Sequence, residues 1–275
     1  MSKRVALYIA CAVLSTSLYA QSDNDYRLDS FEIGLQTLKM DYKEYDTGGN
    51  FLDGDSTDLF GDMNGINAKA LFHLKDVYYI GASIEYTKGK SHYEGSTWGG
   101  TPLSLTKDNV SILQPEISLI GKKEYNYGTL HSKIAFGYRE WKRGKSDYSG
   151  DYDETYKWKY FYIGAGYKKE IAKRVSLGFS LGYQKALSPE MKAYLYDGAT
   201  FKLGNTEGFK IEIPLEYTLT ERIDIIGFYR YDYWEINHSD TVALTSGGSF
   251  VTYAYEPDSK TKNSYLGIKL KYSFR

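Results

Sequence analysis

Four histidines, a single cysteine and a slight excess of carboxylates are the groups through which this chain could do chemistry. His238 lies two residues from Asp240 in "NHSD", close enough for a carboxylate to orient an imidazole, but no nucleophile or second acid is fixed beside it. His73 and His131 share no spacing that a metal site would repeat. The run "LDGDSTDLFGD" gathers Asp53, Asp55, Asp58 and Asp62, and clustered carboxylates attract calcium. A calcium loop starting at Asp53 would need an acid or Asn at 57, a Gly at 58 and an acid at 64. Thr57, Asp58 and Asn64 stand there, so a solvated acidic loop is expected. Cys11 lies in an apolar N-terminal stretch and provides no disulfide, thiol nucleophile or zinc ligand. No catalytic residue, metal ligand or cofactor is therefore assigned from sequence.

The remaining ionic constellation is spread along the chain. Glu85, Glu116, Glu212 and Glu216 alternate with apolar neighbours, as do Lys133, Arg139, Arg230 and Lys269. Residues that recur at every second position on several strands share one face of a sheet. Lys69, Lys210, Asp232 and Lys271 fall on the same polar side. Such a set could line a selective pore or fill a narrow lumen with paired charge. Small barrels are filled by side chains, and open aqueous channels belong to about 16–18 strands, so the plug is expected.

The elements that must position these charges are strands. Alternation dominates and helical periodicity is weak. A first strand runs from Ser30 to Tyr45. Its apolar phase slips near Thr37, from Phe31, Ile33 and Leu35 to Leu38, Met40 and Tyr42, which marks either a bulge or an exit from the bilayer. Further strands centre on Ile66–Leu74, Tyr78–Tyr86, Leu113–Leu119, Leu130–Tyr138, Phe161–Tyr167, Val175–Tyr183, Phe209–Tyr217, Ile223–Tyr233 and the C-terminal "SYLGIKLKYSFR". Short links ("KD", "KKEYN", "KKEIAK", "TLTE") alternate with long polar ones, roughly 46–63, 89–108, 144–154, 187–205 and 238–261. That rhythm describes an all-β, up-and-down antiparallel transmembrane barrel of about ten strands.

Composition agrees. The chain has 275 residues, 29 of them Tyr, and only five prolines. The segment 1–20 carries Lys3 and Arg4, an apolar run and "LYA", the pattern of a secretory signal peptide. A lipoprotein reading of "YIAC" would leave its apolar region too short. The barrel domain is then 21–275. The leader takes Lys3 and Arg4 from the 34 basic residues and none of the 35 acids. The remaining net charge is 32 minus 35, or −3, which gives no case for nucleic acid. The apolar sets often end in tyrosine: Tyr86, Tyr138, Tyr167, Tyr183, Tyr217 and Tyr272. Tyrosines at the margins of an apolar band form aromatic girdles at headgroup level. A soluble secreted barrel would instead bury its apolar face in a core. The signal peptide and strands of up to 16 residues favour the membrane.

The whole mature chain resembles bacterial outer-membrane β-barrel proteins. Its last strand, with Leu266, Ile268, Leu270, Tyr272 and Phe274 alternating, looks like their C-terminal assembly strand, although Arg275 follows the terminal aromatic. The size and layout are similar to the omptins. The resemblance implies a bacterial outer-membrane location, a monomer, and partners in outer-membrane lipids, lipopolysaccharide and the barrel-assembly machinery. It also implies a protease with an Asp-Asp and an Asp-His pair on the second and fourth outer loops. Here the second loop carries His92, Glu94 and Asp108 without paired aspartates, and the fourth carries Glu190 and Asp197 without a histidine. A non-enzymatic role in envelope structure, surface interaction or narrow solute passage is expected, with a surface hydrolase or a small porin-type channel as the alternatives.

Overall fold

The computed structural model describes residues 26–97 and 99–274. The segment 1–20, read from sequence as a signal peptide, and Arg275 lie outside the described residues. In chain order the strands are β1 (Arg27–Tyr45), β2 (Phe51–Ser56), β3 (Met63–Lys75), β4 (Tyr78–Ser96), β5 (Pro102–Tyr125), β6 (Gly128–Lys142) and β7 (Glu154–Ala172). They continue as β8 (Val175–Ala193), β9 (Ala199–Lys202), β10 (Thr206–Thr218), β11 (Ile223–Ile236), β12 (Val242–Ser246), β13 (Ser249–Ala254) and β14 (Asp258–Ser273). Ten of them, all except β2, β9, β12 and β13, close an antiparallel barrel. β14 pairs with β1 from Ser30↔Ser273 to Tyr45↔Asp258, so the barrel has no free edge there.

At one end the turns are tight. Asp76–Val77, Asn126–Tyr127 and Lys173–Arg174 join long strands directly, and Leu219–Arg222 joins β10 to β11. Asp76 and Arg174 adopt the left-handed region, at φ 52° and 65°. At the other end the connections expected as polar loops are largely ordered. β4 and β5 pair outward as far as Ser96↔Pro102, β2 packs between β1 and β4, β9 pairs antiparallel with the outer end of β8, and β12–β13 forms a separate hairpin. The alternation in these segments is interrupted by charged and Gly-rich stretches, which hid the strands from sequence reading.

The phase slip on β1 is not a bulge. Its register with β14 runs unbroken through Thr37. Ile33 and Leu35 point outward, and Gln36, Leu38, Met40 and Tyr42 point inward and are buried. The outward residues above Leu35 become Lys39, Asp41 and Lys43. The apolar face has therefore changed sides. Towards the tight turns the barrel is apolar outside and polar inside. Towards the long connections it is polar outside and apolar inside.

Glycine makes room for the inward tyrosines. Gly164 and Gly182 are paired across β7 and β8, and a Cβ on either would collide with the Tyr162 ring or hydroxyl. A Cβ on Gly137 would strike Tyr160 in the same way.

Candidate functional site

The lumen is filled in tiers. Nearest the tight turns is an ionic tier. Lys271 reaches Asp224 at 2.9 Å and Glu216 at 3.8 Å, and Lys168 reaches Glu216 at 3.2 Å. Above it, Lys269 lies 3.6 Å from Glu212 and 3.9 Å from Glu32, which also faces Lys69 at 3.9 Å. Lys133 pairs with Glu116 at 2.5 Å, and Tyr160 donates to the same carboxylate at 3.0 Å. Arg230 grips Glu85 through two parallel bonds of 2.5 Å and stacks on the Tyr265 ring.

The lumen constellation read from sequence thus converges on one interior. Arg139 has no carboxylate within ion-pair reach among the described residues. It donates to Gln114 Oε1 at 3.0 Å, and Gln114 in turn donates to the Tyr160 hydroxyl at 2.9 Å. On β14, Lys269 meets Glu212 and Glu32, and Lys271 meets Glu216 and Asp224. Glu32, Lys168, Asp224 and the amides Gln36, Asn67, Gln114 and Gln184 had escaped notice. Glu32 and Asp224 obey the same inward period, so that period could have found them. The amides carry no charge to flag them.

Above this tier the lumen is sealed by aromatic packing. Trp141 stacks on Tyr156 at 4.8 Å and meets Tyr42 edge-on at 4.8 Å. Trp158 and Trp234 meet edge-on at 5.1 Å, and Tyr160 packs on Trp234 at 5.9 Å. Leu38, Met40, Met63, Val110, Ile112 and Ile236 fill the gaps, each no more than 3% exposed. Packing of this kind fills the lumen at this level with side chains.

Over the plug sits an acidic cluster built around one guanidinium. Arg143, just beyond β6, donates to Glu44 at 2.8 Å, to Glu154 at 2.8 Å and to Asp53 at 2.7 Å, and it also bonds Asp55. Asp55 is completely buried, so "LDGDSTDLFGD" is not a free solvated loop. Asp53 and Asp55 fold back onto the barrel because β2 inserts between β1 and β4, while Asp58 stays exposed. Glu256 joins through the hydroxyls of Tyr156 and Tyr42, and Tyr42 also donates to Glu44 at 2.8 Å. Burial, reinforced by the charge of Glu154, pushes the Glu256 carboxyl up to about 8. Burial opposes the charge of Arg143, but Asp55, Glu154, Glu44 and Asp53 hold it protonated, well above its ordinary range.

This cluster floors a cavity of ≈ 460 Å³ at the long-connection end. Glu44, Asp53, Glu154 and Glu256, with Arg143 and Lys107 beside them, supply the polar floor, and Met191, Leu195, Phe201 and Leu244 form an apolar wall. The histidines stand apart from it. His92 faces Asp62 at 3.5 Å, and His238 Nδ1 faces Asp258 at 3.1 Å rather than Asp240. His73 packs on Tyr79 and contacts the Asp76 carbonyl at 3.0 Å. His131 lies against Gly166. Among the described residues no group of three or more His, Cys, Asp or Glu is arranged to hold a metal ion.

The six tyrosines take positions in two sets. Tyr86, Tyr138 and Tyr183 lie towards the long connections, and Tyr167, Tyr217 and Tyr272 towards the tight turns, as the strand directions and pairings require. All six side chains are partly or largely exposed on the outward face. Val175, beside Tyr217, and Tyr183 bracket a run on β8 that matches the about 9–11 residues a tilted strand needs to cross a bilayer.

No family model matches the sequence, and no curated protein matches it. The structure compares closely in fold with the outer-membrane protease OmpT from Escherichia coli: TM-score 0.62, 15% identity, 94% of this chain and 100% of the other. The barrel has an omptin-like layout. An outer-membrane channel from Pseudomonas putida F1 (TM-score 0.40, 10% identity, 90% and 96% of the two chains) and Neisserial surface protein A (0.37, 11%, 89% and 97%) match less well.

Proposed function

We propose that this chain is an integral outer-membrane barrel whose function lies at its outer mouth, where it binds a ligand or partner, and that it neither conducts solute nor hydrolyses peptides. The outward apolar band and its two tyrosine sets support a lipid-facing lower half, with outer-membrane lipids, including lipopolysaccharide, around it. The single observation that carries the binding reading is the mouth cavity. Its volume lies within the range of small-molecule sites, and beneath it the lumen is closed by the plug. An acidic floor and an apolar wall suit a cationic group on an apolar or aromatic body. The β12–β13 hairpin adds exposed Phe250, Val251 and Tyr253, a second surface for contact at the same end.

The hydrolase reading has less support. His238 and Asp258 form an oriented pair, but both are substantially exposed, and among the described residues no second acid pair faces them in hydrogen-bond contact. The test uses the purified protein in detergent micelles and a short Arg- and Trp-containing peptide, with its Glu-for-Arg analogue as control. Salt-sensitive binding of the basic peptide, weakened by Asp53→Asn and with the peptide recovered intact, supports the proposal. Equal binding of both peptides contradicts the cation site, and cleavage at the basic residue establishes the hydrolase instead.

A further inference from the structure

A small chamber of ≈ 80 Å³ lies inside the lumen between the ionic tier and the aromatic plug, separate from the mouth. Five cations border it: Lys69, Lys133, Lys210, Arg230 and Lys269. Three carboxylates do so: Glu85, Glu116 and Glu212. The pairing is uneven. Arg230 takes both oxygens of Glu85, and Lys133 and Tyr160 take Glu116. Three ammonium groups are left to share Glu212 and, behind it, Glu32. Those contacts are long, 3.6 Å and 3.9 Å, beyond hydrogen-bond distance. Among the described residues Lys210 makes neither an ion pair nor a hydrogen bond, and its ammonium lies 5.7 Å from the centre of the Tyr162 ring.

A half-buried ammonium without a partner carries a desolvation cost that a counter-charge relieves. Of the groups that border the chamber, with Glu32 behind them, five cations face four carboxylates, a surplus of one unit of positive charge, and Asp232, opposite Lys210 in the β10–β11 register, accepts from Gln184 and makes no ion pair among the described residues. The chamber is too small for a phosphate ester or an organic acid of any length, and it has room for a halide with a little water.

We propose that the chamber is a binding site for a single small monovalent anion of the chloride class, held by Lys210, Lys269 and Lys69, which offsets the positive surplus of the groups that border it. The site is independent of the mouth cavity and of what binds there. The anion ties β3, β10 and β14 together across the barrel, so it stabilises the folded state by mass action.

The experiment follows thermal unfolding of the protein in detergent micelles at constant ionic strength, exchanging gluconate for chloride. The wild type gains stability saturably with chloride. Lys210→Gln raises the half-saturating chloride concentration by about tenfold, equivalent to roughly 1.4 kcal/mol. Lys260→Gln, at an exposed lysine outside the lumen, leaves the chloride response unchanged. In parallel, anomalous scattering from bromide-soaked crystals of the unaltered protein shows a peak between Lys210 and Lys269. Equal stability in chloride and gluconate, the same chloride response in Lys210→Gln as in wild type, or bromide found only at the outer surface (an adventitious ion only) would each overturn the proposal.

Discussion

On β1, Ile33 and Leu35 point outward and are 54% and 65% exposed, whereas Leu38, Met40 and Tyr42, a few residues on, point inward and are sealed. The same inversion is visible on β7. Phe161 and Ile163 face out below, and Tyr156 and Trp158 face in above. The lower barrel has its apolar surface outside and stabilises its interior by pairing charge. The upper barrel is organised like a soluble β-protein, with a packed core and a polar exterior. The backbone is continuous through the change, so the surroundings of each half, and not the sheet, decide which face is greasy.

The sharpest way to break this comparison is to hollow the upper half. Trp234→Ala removes a fully buried ring packed on Trp158 and Tyr160, and it should cost about 3–5 kcal/mol. Hydrogen exchange should rise in Tyr156–Tyr160 and Trp234–Ile236, while the apolar-banded segment of β8 stays protected. The lower half answers to charge instead. Glu85→Gln leaves the buried Arg230 guanidinium without its bidentate partner and should cost about 1.5–3 kcal/mol, much of it recovered in Glu85→Gln/Arg230→Met. A denaturant titration of the three variants reads both numbers. At the boundary between halves, Gly137→Ala forces Tyr160 out of place and should cost about 1–3 kcal/mol by the same assay.

The mouth should respond to pH. Glu256 has its carboxyl raised to about 8 in the fold, above its unfolded value of 4.5. Its contribution is therefore complete below the unfolded value and is lost as pH rises through about 8. The carboxylates Glu154, Glu44, Asp53 and Asp55 oppose its ionisation, and Arg143 and the Tyr42 and Tyr156 hydroxyls moderate it. Proteolysis of the segment 238–257 should quicken above that pH in wild type and lose this dependence in Glu256→Gln. The smallest effect belongs to the tight-turn end. Arg174→Gly relieves a left-handed residue at φ 65° and should stabilise the barrel by about 1 kcal/mol in a thermal melt, without altering the mouth.

Sequence periodicity was enough for the ten barrel strands and for the inward charges of the lower half, because there a period of two separates lipid-facing from lumen-facing residues without ambiguity. It placed Glu85 with Arg230 on one face but could not pair them, since partners 145 positions apart are chosen by barrel closure. The upper half was harder to read. Tyr42, Trp141, Tyr156 and Trp234 lie beyond the apolar bands, among charged neighbours, and their inward direction appears only once the phase slip at Thr37 is understood as a change of surroundings. The Arg143 cluster was illegible for a different reason. Its acids come from β1, the β2 insertion, the edge of β7 and the segment before β14, and each alone reads as an ordinary surface acid.

The barrel we propose is closed, by charge below and by aromatic packing above. Single-channel recording of the purified protein in planar bilayers tests it most directly. A closed barrel gives no stable conductance in the wild type and at most brief openings in Trp234→Ala. Large, long-lived conductance steps in the wild type would contradict it.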